Sequence, residues 1–327
     1  MNLRVGLVGL GEIGKQHARI LASLEGIDFV GSYDIDSNRN AFGQNRPVFN
    51  SLKDLLGTNL DYIVIAVPPS NHLEVATVCA DFGVHALIEK PLANNSDSAR
   101  KILEIFTDRS LIGAVGHLEV FNAGLQTAKS SLGLLGTIFQ ISTQRRGPRP
   151  LRIKDVGVAL DLATHDFQLT SWLLGNDYRQ IAGQVLHQSN SSYEDMVVVV
   201  GQLSNGILVN HLVDWISPRK IRNVTITGKN GSFEIDLLRG ELIFYEANSD
   251  LDGMQHVTEI MNNQAAKVIR FSGEQIEPLL VEHQNFRDLV LGKVDMKTNV
   301  SLHQGLEAVL IAEQVLASAQ NSTEFSL

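Results

Sequence analysis

Asp161 and His165 are residues of this chain whose types and spacing suit proton chemistry. They stand in Asp155-Val-Gly-Val-Ala-Leu-Asp161-Leu-Ala-Thr-His165-Asp-Phe-Gln-Leu169. Around them Val156, Val158, Ala159, Leu160, Leu162, Ala163, Phe167, Leu169, Trp172, Leu173 and Leu174 cover almost every side of a helix that runs to a stop at Gly175. A spacing of four puts the carboxylate and the imidazole on one face, a turn apart. Burying such groups costs roughly several kcal/mol unless they bond to each other or to something in a cavity. The pair is therefore either a satisfied core pair or a proton-transfer device. Two helical ligands without an evident third do not make a metal site, so no metal is expected.

Lys90 is the second group with chemical promise. It follows a buried strand directly, in Glu89-Lys90-Pro91. The proline fixes the turn, and an X-Pro bond can adopt the cis form that aims a side chain. The plain alternative is a lysine leaving a strand into solvent. Glu89 either contacts a ribose, holds Lys90, or is structural.

The elements that would position Lys90 begin at the first residues. A short apolar strand over 3–8 runs into Gly9-Leu-Gly11-Glu12-Ile13-Gly14, and then into a helix whose inner face is marked by Ile13, His17, Ile20, Leu21 and Leu24. Gly9 makes the tight turn, Gly11 lets backbone approach a pyrophosphate, and Gly14 lets helix and strand pack closely. The diphosphate of a dinucleotide then rests on the helix N-terminus, where free N–H groups and the dipole favour an anion. A second strand over 28–33 ends at Asp34, twenty residues beyond Gly14, where a carboxylate accepts from ribose hydroxyls. Asp34 repels a 2′-phosphate, so NAD is expected over NADP; Ser32, or Arg39 reaching back, softens that preference.

Strands over 62–67, 85–88 and 111–115 alternate with helices over 71–82 and 96–107, the pattern of a parallel sheet covered on both faces. Ligands in such sheets bind beyond the carboxyl ends of the strands. Val67, Pro68 and His72 lie at one such end and Glu89 and Lys90 at another; His72 is read equally as a helix-start residue and as a cofactor contact.

Beyond residue 120 a linking helix over 121–131 and a strand over 136–144 lead to Arg145, Arg146, Arg149, Arg152 and Lys154, five positive charges within ten residues. Guanidinium groups suit bidentate binding of phosphate, so this segment is a candidate grip for a diphosphate; alternatively it is a solvated loop whose arginines pair with surplus acidic residues. Strands over 181–187, 194–203, 206–215, 222–228, 232–236 and 241–246, joined at Asn205-Gly206, Asn230-Gly231 and Arg239-Gly240, describe hairpins and an antiparallel sheet. An exposed face of that sheet is large enough to drive subunit pairing. Residues 247–261 read as a surface loop, and 277–291 and 301–320 as closing helices.

The 327 residues, 44% hydrophobic, suffice for two domains, placed at 1–120 and 121–327. Twenty-seven Lys and Arg against 36 Asp and Glu leave a net charge of −9, which argues against nucleic-acid or membrane-surface partners. Cys79 stands alone, so no internal disulfide forms, and the N-terminus runs straight into a strand without a signal-peptide pattern. A cytoplasmic enzyme is the expectation.

Gly9-x-Gly11-x-x-Gly14, Asp34, Glu89-Lys90-Pro91 and Asp161-x-x-x-His165, in that order, resemble the glucose-fructose oxidoreductase / inositol dehydrogenase / rhizopine-catabolism (Gfo/Idh/MocA) family across essentially the whole chain. The resemblance implies an α/β plus α+β protein: an N-terminal Rossmann domain, doubly wound on a parallel sheet, joined to a domain built on a large, mainly antiparallel sheet. It implies oxidation or reduction of sugars and cyclitols with a nicotinamide cofactor, and homo-oligomers formed through the second sheet. Val115-Gly-His117-Leu-Glu-Val-Phe-Asn122, Arg146 to Arg152, the stretch around His165, and Asp214 to Arg222 look like a branch that oxidises UDP-N-acetylglucosamine at the 3-hydroxyl, although Val120 and Ala123 replace that branch's usual Arg and Pro. On this reading His117, Asn122, Arg146 and Arg152 line the substrate side; His117 is read equally as a core or interface residue. His165, with an ordinary pKa near ~6.5, or a desolvated Lys90 takes the hydroxyl proton, and Asp161 orients the ring. A dehydrogenase of a free sugar or inositol, and a non-catalytic NAD-sensing regulatory protein, are the alternatives.

Overall fold

The computed structural model describes residues 2–42, 46–150, 153, 155–189, 192–247, 267–271 and 276–321. Two compact units emerge: Met1–Leu118 with Ile153–Val156 and Glu277–Glu313, and Glu119–Arg152 with Gly157–Ile276 and Gln314–Leu327.

The first unit is built on five parallel strands, β1 (Leu3–Val8), β2 (Ile27–Tyr33), β3 (Tyr62–Ile65), β4 (His85–Glu89) and β5 (Gly113–Gly116), in the order β2-β1-β3-β4-β5. Helices α1 (Glu12–Ser23), α2 (Leu52–Leu56), α3 (His72–Asp81) and α4 (Ser96–Asp108) connect them. β3 and β4 are buried at nearly every residue because side chains on both faces meet covering elements. Chain order reverses at β1, which has β2 on one side and β3 on the other, and a crevice opens at the carboxyl ends of strands at such a switch point. β3 is shorter than the sequence suggests: Ala66 N–H still donates to Val8 O at 2.8 Å, but Pro68 and Pro69 turn the chain into the short 3-10 segment Pro69–Asn71.

The closing helices make contacts that the sequence does not announce. Helix α7 (Pro278–Val290) brings Phe286 and Leu289 into the core formed by Val5, Leu7, Phe29 and Tyr62. Phe286 meets the Tyr62 ring edge-on at 5.2 Å. Val115 N–H donates to Val300 O at 2.8 Å, just before α8 (Leu302–Gln320).

The second unit carries eight strands in the order β13-β12-β11-β10-β6-β9-β8-β7. They are β6 (Ile138–Arg146), β7 (Tyr178–Leu186), β8 (Met196–Leu203), β9 (Leu208–Asp214), β10 (Ile221–Gly228), β11 (Gly231–Asp236), β12 (Glu241–Glu246) and β13 (Lys267–Phe271). Every neighbouring pair is antiparallel except β6 with β9, so the large, mainly antiparallel sheet is borne out. Helices α5 (Ala123–Ser131) and α6 (Thr164–Leu174) contribute Leu125, Ala128, Leu169 and Leu173 to a core with Ile141, Val209, Val224, Ile226 and Phe233. Strand alternation points Leu186, Val198, Val200 and Leu208 the other way, and all four are exposed. β13 lies beyond the expected surface loop; from residue 248 that loop is outside the described residues.

Candidate active site

In the first unit the glycine turn leaves β1 with Gly9 at φ +94°, a conformation that excludes ordinary side chains. A Cβ on Gly9 would stand 2.4 Å from Ala66 O, and one on Gly14 would stand 2.0 Å from Gly9 O. Protein packing alone therefore requires both. Gly11 is different: the nearest heavy atom to a Cβ there is the tip of Arg39, at 3.8 Å. Room for a side chain exists, so the glycine answers to something the protein does not supply, which is what close passage of a diphosphate would demand. The N-cap of α1 is Gly11, which has no side chain to bond the first amides of the helix.

Asp34 stands immediately beyond β2. Its Oδ2 accepts Leu10 N–H at 2.5 Å and its Oδ1 accepts Asp36 N–H at 2.8 Å, which ties the carboxylate to the glycine turn. Arg39 Nη1 lies 3.4 Å from Asp34 Oδ2, so the arginine does reach back. These residues fit the adenosine half of a dinucleotide: amides for the diphosphate and a carboxylate for the ribose.

His72 is fully buried, and its Nδ1 and Nε2 lie 3.1 Å from Leu92 O and 2.9 Å from Val67 O. Burial holds its pKa below the ordinary value. The ring is a brace between the loops after β3 and β4, a neutral imidazole donating to one of the two carbonyls at a time. Lys90 follows β4 directly and is joined to Pro91 by a cis peptide bond, and its backbone N–H donates to Glu89 Oε2 at 3.0 Å. Glu89 is buried; burial raises its pKa, but His17, then Lys90, outweigh this and leave it below the ordinary value. His117 follows β5 and is buried.

In the second unit the expected helix divides in two. Residues Ala159–Ala163 form a wider π turn, and the α-helix proper begins at Thr164. Such turns cluster at functional sites. Glu194 Oε1 accepts Ala159 N–H at 2.8 Å, and a Cβ on Gly157 would stand 2.2 Å from that carboxylate. Gly175 ends the helix at φ +64°, the glycine stop expected from the sequence. Asp161 and His165 are both buried.

Glu119 stands with Oε1 3.9 Å from His165 Nδ1, a contact that the i, i+4 pattern did not reveal. Glu119 is joined to Arg145 through both Nη groups, and Arg145 Nε lies 3.1 Å from each oxygen of Asp166. Arg145 thus bridges two carboxylates inside the protein. Burial disfavours its charge, but Asp166 and Glu119 more than offset that and raise its pKa. Arg222 is held down at about 10, by burial first and Arg145 second.

Arg145 therefore does not belong to an open phosphate clamp. Arg146 donates through Nε to Asp214 at 2.7 Å, and Arg149 to Ser189 at 2.6 Å and Asp195 at 3.0 Å. All three pair with acidic residues, but Arg145 and Arg146 do so from strand β6 and not from the solvated loop of the alternative reading; Arg152 and Lys154 lie outside the described residues. Asn122 was expected to contact substrate, but its Oδ1 accepts Gly124 N–H at 3.0 Å and Leu125 N–H at 3.4 Å, capping α5, while its Nδ2 donates to Leu237 O at 2.9 Å. Its short amide at a helix start carried that signal. Asp166 carried one too, since an acid in an apolar helix needs a partner as much as Asp161 does.

Comparison with known proteins settles the family. Residues 3–117 match the model of an oxidoreductase family with an NAD-binding Rossmann fold, and residues 131–327 match that family's C-terminal alpha/beta domain.

The chain belongs to the Gfo/Idh/MocA oxidoreductase family.

This oxidoreductase is 26% identical over 250 residues to a UDP-N-acetylglucosamine 3-dehydrogenase of Acidithiobacillus ferrooxidans, covering 75% of this chain and 77% of that one. It is 29% identical over 204 residues to an inositol 2-dehydrogenase of Saccharopolyspora erythraea, covering 59% of each. Among solved structures, the Acidithiobacillus dehydrogenase superposes with a TM-score of 0.85 at 22% identity, covering 98% of this chain and 99% of that one. GenD2 from gentamicin A biosynthesis, solved with NAD, superposes with a TM-score of 0.81 at 23% identity, covering 98% and 95%. Among the described residues no helix is long and apolar enough to cross a membrane, and no group of His, Cys, Asp and Glu is arranged to hold a metal.

Proposed function

We propose that this oxidoreductase is a dehydrogenase that moves a hydride between a secondary alcohol of a sugar and NAD, and that the sugar is carried on a nucleotide, as in UDP-N-acetylglucosamine oxidised at its 3-hydroxyl. The observation that carries the reading is Lys90, held by buried Glu89 at the carboxyl end of a parallel strand, where such sheets bind their ligands. NAD, when bound, supplies the hydride acceptor. The protein must orient the alcohol and remove its proton. Lys90 offers an ammonium to stabilise developing alkoxide charge. His165, beside the Glu119 carboxylate and with Asp161 one turn earlier, offers the base. A deprotonated Lys90 is the other acceptor, and the pH dependence of K90M and H165A turnover separates the two.

Asp34 supports NAD over NADP, with Arg39 as the residue that moderates the preference. The nucleotide-sugar assignment is supported by likeness to the Acidithiobacillus dehydrogenase, and Arg146, a third exposed, is the described arginine for the diphosphate. The inositol dehydrogenase relatives support a second reading, a free cyclitol or sugar. R146A decides: a raised KM for UDP-N-acetylglucosamine with full kcat supports the nucleotide sugar, whereas turnover of free inositol alone supports the second. The exposed apolar row Leu186, Val198, Val200 and Leu208 supports homo-oligomers, which light scattering of the purified protein tests.

A further inference from the structure

Behind the Lys90 turn, inside the first unit, lies a buried line of titratable groups that the reaction above leaves unused. Glu89 ends β4 with one oxygen on its neighbour's backbone N–H. Its other oxygen, Oε1, lies 2.9 Å from His17 Nε2, and His17 Nδ1 lies 2.8 Å from His283 Nε2. The two imidazoles cross edge to face at 79°, one from α1 and the other from α7. Neither has any exposed surface, and Glu282, which precedes His283, is 1% exposed. The carboxylate oxygens of Glu282 and Nδ1 of His283 have no hydrogen-bond partner among the described residues.

The contacts restrict where protons sit. Two imidazole nitrogens 2.8 Å apart share one proton, since two would clash and none would leave lone pairs opposed. An ionised Glu89 accepts only, so His17 Nε2 carries a hydrogen. In the neutral pair the shared proton then belongs to His283 Nε2, and both rings donate in the direction of Glu89. A proton added at His283 Nδ1 lets the N–H at His283 Nε2 break as one forms at His17 Nδ1, and the positive charge arrives beside Glu89. Burial opposes charge on His283, as does His17. Burial, then Glu89, push the Glu282 carboxyl well above its ordinary value. The groups acting on Glu89 are thus His17 from α1, Lys90 from its own turn, Glu282 from α7 and His72 from α3.

We infer that His17 and His283 are positioning residues for Lys90: the imidazole pair holds Glu89 as the carboxylate that fixes the Lys90 turn through its backbone N–H. The inference rests on the proposed role of Lys90 in the reaction. Glu89 does not pair with an exposed cation, and a buried carboxylate without donors would take up a proton. Removing His17 therefore lets Glu89 take up a proton at higher pH, and a protonated Glu89 holds the Lys90 turn less tightly.

The test uses the full chain with carbon-13 at its glutamate carboxyls, the Glu89 resonance being assigned by its loss in Glu89→Gln. In His17→Ala the Glu89 titration midpoint is expected to rise by about one pH unit or more, and in His283→Ala by less. In His17→Gln, whose amide still donates to Glu89, it returns most of the way. Identical midpoints in wild type and His17→Ala, or equal displacement in His17→Ala and His17→Gln, overturn the inference. Should His17→Ala not fold, Glu89→Gln serves in its place: it must move the ring nitrogen-15 signals of both histidines, and unmoved signals overturn the relay. Turnover of UDP-N-acetylglucosamine by Lys90→Met separates the two readings. Full activity there removes the catalytic role of Lys90 while leaving the titration result readable, whereas a dead Lys90→Met with unshifted midpoints removes only the roles of His17 and His283.

Discussion

Replacing Arg145 by Met exposes how much of the second unit depends on one buried guanidinium. Arg145 is 2% exposed and is bonded to Asp166, equally buried, and to Glu119. Methionine fills similar space but leaves two carboxylates without their cation. Breaking a buried pair by removing one partner costs roughly 3–5 kcal/mol. At about 2–4 °C per kcal/mol for a body of this size, the melting temperature should fall by roughly 6–20 °C. Burial already pushes the Asp166 carboxyl above its ordinary value, with Arg145 pulling the other way; without Arg145 the rise is larger. A carboxyl whose folded pKa lies above its unfolded value, about 3.9, costs stability above that value and stops doing so as pH falls towards it. The gap between R145M and wild type, followed by calorimetry, should therefore narrow from pH 7 to pH 4. R145M/D166N should recover about half of the loss or more. A melting temperature within about 2 °C of wild type, or no recovery in the double variant, would refute this account of the triad.

The glycines of the first turn should separate by cause. G11A should melt like wild type yet lose NAD binding, while G14A should be destabilised, because only the latter meets the protein's own backbone; equal melting of the two contradicts this. D34A should weaken NAD binding about tenfold or more, the worth of hydrogen bonds to a charged group, and should narrow the NAD to NADP ratio, as titration of each cofactor would show. His211, buried between Thr143 and Tyr178, has its pKa lowered to about 3, chiefly by burial. Because its folded value lies below the unfolded one, near ~6.5, stability is full above that pH and is lost as pH falls from there towards 3. H211N should flatten this limb of the stability curve, and an unchanged limb would assign the loss to other groups.

The cofactor half of the fold was legible because its signals are local. Strand, three glycines, helix, strand and a terminal Asp all fall within 34 residues, and each has a single physical reason. Hairpin turns at Asn-Gly announced the second sheet in the same way. The electrostatics were not legible, because partners come from distant elements. Arg145 finds Asp166 21 residues on and Glu119 26 residues back, so a run of arginines that reads as a clamp is in part an internal brace. His17 sat on the apolar face of a predicted helix and passed as filler until a histidine 266 residues away met it. The π turn before α6 leaves no mark in a sequence whose apolar residues cover every side, since periodicity is the cue that would have revealed it.

The most direct measurement incubates the purified protein with NAD and a panel of UDP-sugars and free polyols, following reduced cofactor by absorbance and product by mass. The account predicts a nucleotide sugar made lighter by two hydrogens, with turnover reduced by at least tens of fold in K90M and H165A while NAD still binds, as expected for loss of groups worth about 10²–10⁴-fold in rate. NAD binding without an oxidised product from any alcohol, or full turnover in both variants, would contradict it.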